Sequence, residues 1–77
     1  MQEIIETLER YVNDRCPTGG FLHAVLSNNL TEACAKADMR NQSRLAEIVV
    51  YIYNNLPIIC WGSPEKVDKW LAGKENE

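Results

Sequence analysis

The chain has 77 residues, 45% of them hydrophobic and 25% charged, with a formal net charge of −3. That length allows one domain, and a domain of this size buries only about 60% of its unfolded surface. The acidic balance argues against a general nucleic-acid binder or a membrane-surface protein, and no run of apolar residues is long enough to span a bilayer.

Small domains usually gain stability from disulfides, a metal or a partner chain. The three cysteines, Cys16, Cys34 and Cys60, are odd in number and form no Cys-x-x-Cys pair. They read as free thiols of a reducing compartment, which places the chain in the cytosol. A zinc site built from them and His23 lacks ligand spacing. The N-terminus has no basic region ahead of an apolar core, so no signal peptide is expected. A homo-oligomer is therefore the expected source of extra stability.

Residues 2–14 read as an amphipathic helix. Ile4, Ile5, Leu8, Tyr11 and Val12 form one stripe, and Glu3, Glu6, Glu9, Arg10 and Asn13 lie outside it. Acidic residues near its start suit the positive end of the helix dipole. Pro17 pushes Cys16 out of the helical region and ends the helix before it. Thr18-Gly19-Gly20 then turns the chain, with Thr18 or Gly19 as cap of a second helix over about Gly20–Ser27. Phe21, Leu22, Val25 and Leu26 have helical spacing and read as core.

Ser27-Asn28-Asn29 breaks the pattern. Asn29, with Glu32 three residues on, resembles a capping box for a third helix, about Leu30–Ala37. Its small residues Ala33, Cys34, Ala35 and Ala37 suit close helix packing. Asp38 to Ser43 is polar and reads as a turn, with Asp38, Asn41 or Ser43 as caps. The fourth helix follows, to about Asn55. Leu45, Ile48, Val49, Ile52 and Leu56 form one face, and Ala46, Val50 and Tyr53 widen it to half the circumference or more. Such a helix is either central or faces a partner subunit.

Pro57 ends that helix, and Ile58-Ile59-Cys60-Trp61 reads as a short segment at least half buried. The fifth helix has the clearest start: Ser63 as N-cap, Pro64 at the first position and Glu65 in the first turn. Val67, Trp70 and Leu71 form its inner stripe, Gly73 its C-cap, and Lys74–Glu77 a solvated tail. The expected fold is all-α, a single compact bundle of about five short helices over residues 1–77.

The search for an enzyme finds little. Gly19-Gly20 lacks the lysine of a phosphate loop, and no pair of histidines or carboxylates stands at metal-ligand spacing. Ser, Cys and His are too few to propose a triad. No enzyme and no cofactor are expected. The tight turn between the second and third helices meets one requirement of a helix-turn-helix reader. The outward residues Thr31, Glu32 and Lys36 make a poor recognition surface on an acidic chain.

Binding is the stronger reading. Two helix starts carry unusual lead-ins, Thr18-Gly19-Gly20 and Trp61-Gly62-Ser63-Pro64. Each would offer backbone N–H groups and a hydroxyl to an anion, and Trp61 could stack on a base. Lys36, Arg40 and Arg44 are spaced by four and form a basic stripe if the backbone stays near helical, and Arg15 flanks the glycine turn. The competing readings are plain ones: tryptophans in the core, a solvated basic face, and lead-ins that are only caps.

Several blocks together carry a resemblance. They are Pro17-Thr18-Gly19-Gly20-Phe21-Leu22, Ala24-Val25-Leu26 with Asn28 and Leu30, Ala37-Asp38, Ile48 with Tyr51, Tyr53 and Asn54, and Cys60-Trp61-Gly62-Ser63-Pro64-Glu65-Lys66-Val67 with Trp70. Over about residues 10–71 the chain resembles small proteins encoded by bacteriophages and prophages. It departs from their pattern at Asn29, where an aspartate is expected. The resemblance implies a setting and no mechanism. In that setting, one known strategy is a sponge, a small oligomer that sequesters a nucleotide-derived immune signal.

Two functions follow as expectations. The first is a non-enzymatic, oligomeric, anti-defence sponge in the host cytosol that binds a nucleotide-type small molecule. Its ligand site would draw on Thr18, Gly19, Gly20, Trp61, Gly62 and Ser63, with Arg40, Arg44 or Lys66 neutralising charge. The alternative is a protein–protein adaptor or inhibitor of a host protein, acting through the wide apolar face of the fourth helix. Neither needs a membrane or a nucleic-acid partner.

Overall fold

A computed structural model of the chain describes residues 1–73, and the expected tail Lys74–Glu77 lies outside the described residues. Six α-helices follow one another: α1 (Gln2–Asp14), α2 (Gly20–Leu26), α3 (Leu30–Lys36), α4 (Met39–Ser43), α5 (Leu45–Asn55) and α6 (Pro64–Ala72). A 3₁₀ turn, Ile58–Cys60, joins α5 to α6. There is no strand among the described residues, and the fold is all-α.

The core is where the apolar stripes meet. Leu8 and Tyr11 of α1, Leu26 of α2, Ile48 and Ile52 of α5, Cys60 of the 3₁₀ turn and Val67 of α6 are all at most 2% exposed. Phe21, Val25, Tyr51, Trp61, Trp70 and Leu71 close its edges while half-buried. α3 runs back along α2 and buries Ala33 against it. Cys34 and Ala35, read from the sequence as packing residues, face outward instead. A seven-residue helix laid on one neighbour has room to bury only one of its faces.

Helix ends follow local chemistry. Asn28 takes a left-handed conformation (φ 62°), which asparagine tolerates better than most residues. Asn29 caps α3, its side chain accepting from the Glu32 N–H at 3.2 Å. The Glu32 carboxylate pairs forward with Lys36 at 3.3 Å. Ser63 caps α6 by accepting from the Lys66 N–H at 3.2 Å, with Pro64 in the first turn. Gly73 is the C-cap of α6, in right-handed geometry.

Two sequence readings need correction here. The polar stretch 38–43 is not merely a turn but the short helix α4, capped by Asp38, whose carboxylate accepts from the Asn41 N–H at 2.8 Å. Of the other two caps considered for it, the Ser43 hydroxyl instead donates back to the Arg40 carbonyl, and the Asn41 side chain accepts from Arg44. Nothing in α4 is buried, so no apolar period could reveal it. Ile58 and Ile59 are 63% and 66% exposed, not half buried. A 3₁₀ turn has three residues per turn, so of Ile58, Ile59 and Cys60 one faces the core, and that one is Cys60.

The α1 terminus is held by a long-range lock. Arg15 sits in left-handed geometry (φ 54°), which costs a non-glycine residue about 1–2 kcal/mol. Its guanidinium donates to the Trp70 carbonyl at 3.0 Å and lies 3.8 Å over the Trp70 ring. A half-buried cation–π contact of this kind is worth about 0.5–2 kcal/mol, enough to offset the backbone cost. Arg15 therefore serves α6 and not the glycine turn it flanks in sequence.

Candidate functional site

The glycine turn opens on a groove of about 310 Å³ lined by Glu3, Ile4, Thr7, Thr18, Gly19, Gly20, Phe21, Leu22 and Asn41. Gly19 is the N-cap of α2 with φ 94°, a conformation that favours glycine. No side chain caps α2, so the N–H groups of its first turn have no side-chain acceptor. The Thr18 hydroxyl instead lies 3.4 Å from the Gly19 carbonyl, to which it donates weakly. Gly20 is covered by a side chain. A Cβ there would stand 3.3 Å from Lys36 Cδ and 3.4 Å from its Nζ, so the lysine lies across the turn.

Glu3 projects from the first turn of α1 on the same groove. Its carboxylate oxygen Oε1 accepts from Arg44 Nη2 at 2.7 Å and lies 3.7 Å from Arg40. Its Oε2 stands 3.6 Å from the N-terminal ammonium. Arg44 is fixed from behind, Nε donating to Asn41 Oδ1 at 3.0 Å. Its side chain is only 13% exposed, whereas that of Arg40 is 72% exposed. Of the basic stripe read at 36, 40 and 44, Arg40 and Arg44 meet at Glu3, whereas Lys36 pairs with Glu32. The backbone is extended at Ala37 and Asp38, so the near-helical path that the stripe required holds only from Arg40 to Arg44.

The Arg44 hydrogen bond is the main cause that holds the Glu3 carboxyl down to about 2, against an ordinary value of 4.5. A lowered folded-state pKa contributes stability that is complete above the unfolded value and lost as pH falls through the folded one. The stability difference between the wild type and Glu3→Gln should therefore be constant above about pH 4.5 and close between there and pH 2. Urea denaturation of both proteins across that range measures it. A gap that persists unchanged at pH 2 would mean the carboxylate is not the stabilising group.

The second group of expected site residues stands elsewhere. The Gly62 N–H donates to the Leu26 carbonyl at 2.7 Å, at the far end of α2 from Gly20. About 9 Å of helix separates the two lead-ins. Trp61 is half-buried, donates from Nε1 to the Leu56 carbonyl at 3.3 Å, and meets Tyr53 edge to face at 6.2 Å. Ser63 spends its hydroxyl oxygen on its own helix, and Lys66 Nζ donates to the Ile58 carbonyl at 3.3 Å. Gly62 has φ 115° and makes the turn into α6.

The structure accordingly brings Thr18, Gly19 and Gly20 into one groove with Glu3, and Arg40 and Arg44 pair with Glu3 without lining the groove themselves. It does not bring Trp61, Gly62, Ser63 or Lys66 to them. Sequence reasoning did not find Glu3, Thr7 or Asn41 as members of the groove. Asn41 had a local signal, because a side-chain amide three residues before Arg44 on a helix can reach it. Glu3 had none, since it meets Arg44 across 41 residues of chain. His23 is exposed, and the described residues contain no group of three or more His, Cys, Asp or Glu that could hold a metal.

Comparison with protein-family models, with curated proteins and with solved structures found no match to this chain.

Proposed function

We propose that this chain is a non-enzymatic binding protein that sequesters a phosphate-bearing, nucleotide-type small molecule in the groove at the glycine turn. The observation that carries this reading is the convergence of Arg40 and Arg44 on Glu3 beside Thr18, Gly19 and Gly20. A phosphate entering the groove would meet the Thr18-Gly19-Gly20 turn and the Glu3 carboxylate, which is held by the guanidiniums of Arg40 and Arg44, groups suited to forked recognition of phosphate oxygens. The groove's volume falls at the lower end of the range for small-ligand sites.

The setting in which a sponge would be useful, a bacteriophage protein blunting a host's nucleotide-derived immune signal in the cytosol, rests on the resemblance of the sequence blocks. The exposed apolar residues of α5, Val49, Val50 and Tyr53, favour the alternative of an adaptor or inhibitor of a host protein.

Native mass spectrometry of the protein purified from bacteria tests the ligand reading. The spectrum is taken alone and after mixing with a panel of cyclic nucleotides and ADP-ribose derivatives. A discrete added mass that Arg44→Ala abolishes is the expected result. A ligand-free spectrum across the whole panel would remove this reading and favour the adaptor.

A further inference from the structure

A second hollow, of about 180 Å³, lies between α1 and the C-terminal end of α5. Its floor is apolar. Leu8 is fully buried, Leu56 is buried and Val12 is half-buried. Tyr51, also half-buried, gives it an aromatic wall. The polar residues stand at its rim: Glu9 and Asn13 from α1 and Asn55 from α5, all exposed. Helical spacing produces this layering. Leu8 and Val12 are four residues apart, as are Glu9 and Asn13, so α1 lays an apolar pair beside a polar one.

The electrostatics of this hollow favour a cation. Among the described residues the Glu9 carboxylate makes no ion pair and accepts no hydrogen bond. Glu3, Glu6 and Glu32, by contrast, are engaged with Arg44, Gln2 and Lys36. Arg10 follows Glu9 in the chain, but its guanidinium donates back to the Thr7 hydroxyl at 3.4 Å. α5 ends at the hollow and adds the negative pole of an 11-residue helix, with no basic residue in its last turn. The Asn55 amide nitrogen donates to the Tyr51 carbonyl at 2.9 Å, which leaves the amide oxygen as an acceptor. No Lys, Arg or His is among the lining residues. An aromatic wall adds attraction for a cation that reaches its face.

The floor thus suits hydrocarbon, and the rim suits positive charge. We propose that this hollow binds a small organic ammonium ion, with its hydrocarbon part on Leu8, Val12 and Leu56 and its nitrogen between Glu9 and the end of α5. The volume sets the size. Sites for drug-sized ligands run from about 300 to 1,000 Å³. This hollow is smaller, so its ligand is a monoamine with a short alkyl or single-ring body. The hollow shares no residue with the groove at the glycine turn, and this site stands whether or not that groove takes a phosphate.

Amide NMR shifts of the full chain, titrated with n-butylammonium chloride, test it. n-Butanol and sodium butyrate are the neutral and anionic counterparts of the same chain length. Butylammonium should shift the amides of residues 8–13 and 51–56 saturably. Butanol and butyrate should bind there at least about fivefold more weakly, the factor that one exposed charge contact supplies. Glu9→Gln should lose that same factor for butylammonium and leave butanol binding unchanged. Glu47→Gln removes an equal charge from the first turn of α5, about 12 Å along the helix from Asn55, and should change neither. The amide spectrum of each variant shows at once whether it has kept its fold. Absence of a saturable shift overturns the proposal, as does butanol binding as tightly as butylammonium. Equal losses in the two variants, or shifts spread over all acidic residues, would mean counter-ion screening and overturn it too. Tighter binding of Nα-acetyl-lysine methylamide would give the hollow to a lysine of a partner protein instead.

Discussion

Tyr11→Ala is expected to unfold this protein or leave it near the edge of stability. Tyr11 is 1% exposed at the centre of the core. Truncating a fully buried aromatic costs about 3–5 kcal/mol. A domain of this length has a total stability of about 4–12 kcal/mol. Tyr11 also holds two polar contacts in place. Its hydroxyl donates to the Cys60 carbonyl at 2.7 Å, and its own carbonyl accepts from Trp70 Nε1 at 2.7 Å. These bonds fasten α1 to the 3₁₀ turn and to α6, elements 49 and 59 residues away in the chain.

Tyr11→Phe separates the packing from the hydroxyl. It keeps the ring against Trp70, 6.4 Å between centroids, and strands the buried Cys60 carbonyl. The expected loss is about 1–3 kcal/mol. At about 4–8 °C per kcal/mol for a domain of this size, calorimetry would read a fall of roughly 5–20 °C in Tm. Burial also pushes the Tyr11 phenol above its ordinary value of 10. A raised folded-state pKa contributes stability that is complete below the unfolded value and lost as pH rises beyond it. The wild type should therefore lose stability more steeply than Tyr11→Phe above pH 10. Parallel alkaline profiles would mean the phenol is not buried as described.

The reach of these contacts explains how much of the fold could be read from the sequence. The α1 stripe was legible because 13 residues give the helical period several chances to repeat. The start of α6 was legible because Ser63, Pro64 and Glu65 are each placed by local backbone chemistry. α4 was not, because a short exposed helix leaves no apolar trace and only its Asp38 cap marks it. The candidate site divides along the same line. The glycine turn and the spacing of Arg40 and Arg44 are local patterns and could be seen, whereas the extended backbone at Ala37 and Asp38 takes Lys36 out of the stripe. That Glu3 would sit between the arginines, and that Gly20 and Gly62 would lie at opposite ends of one short helix, are consequences of packing. No local spacing encodes them.

The Glu3 ion pairs give the groove an internal competitor, and so the two sides of the pair should respond in opposite directions. A phosphate can reach Arg44 only by displacing the Glu3 carboxylate, which holds it at 2.7 Å. Arg44→Ala removes a charge-assisted donor worth about 1.5–3 kcal/mol, so affinity for a nucleotide-type ligand should fall about 10- to 100-fold. Glu3→Gln removes the competing charge and keeps the side-chain shape. Two unit charges 4 Å apart in water interact by about 1 kcal/mol, so affinity should rise about fivefold. Arg44→Lys keeps the charge without the fork and should fall between wild type and Arg44→Ala. Isothermal titration with the ligand found by native mass spectrometry measures all three. The gain in Glu3→Gln should shrink as salt is raised from 0.05 to about 0.5 M, because the groove is open to solvent and its charges are screened. If Glu3→Gln weakens binding instead, the carboxylate is a ligand contact and not a competitor, and the phosphate does not bind where Arg44 now holds Glu3.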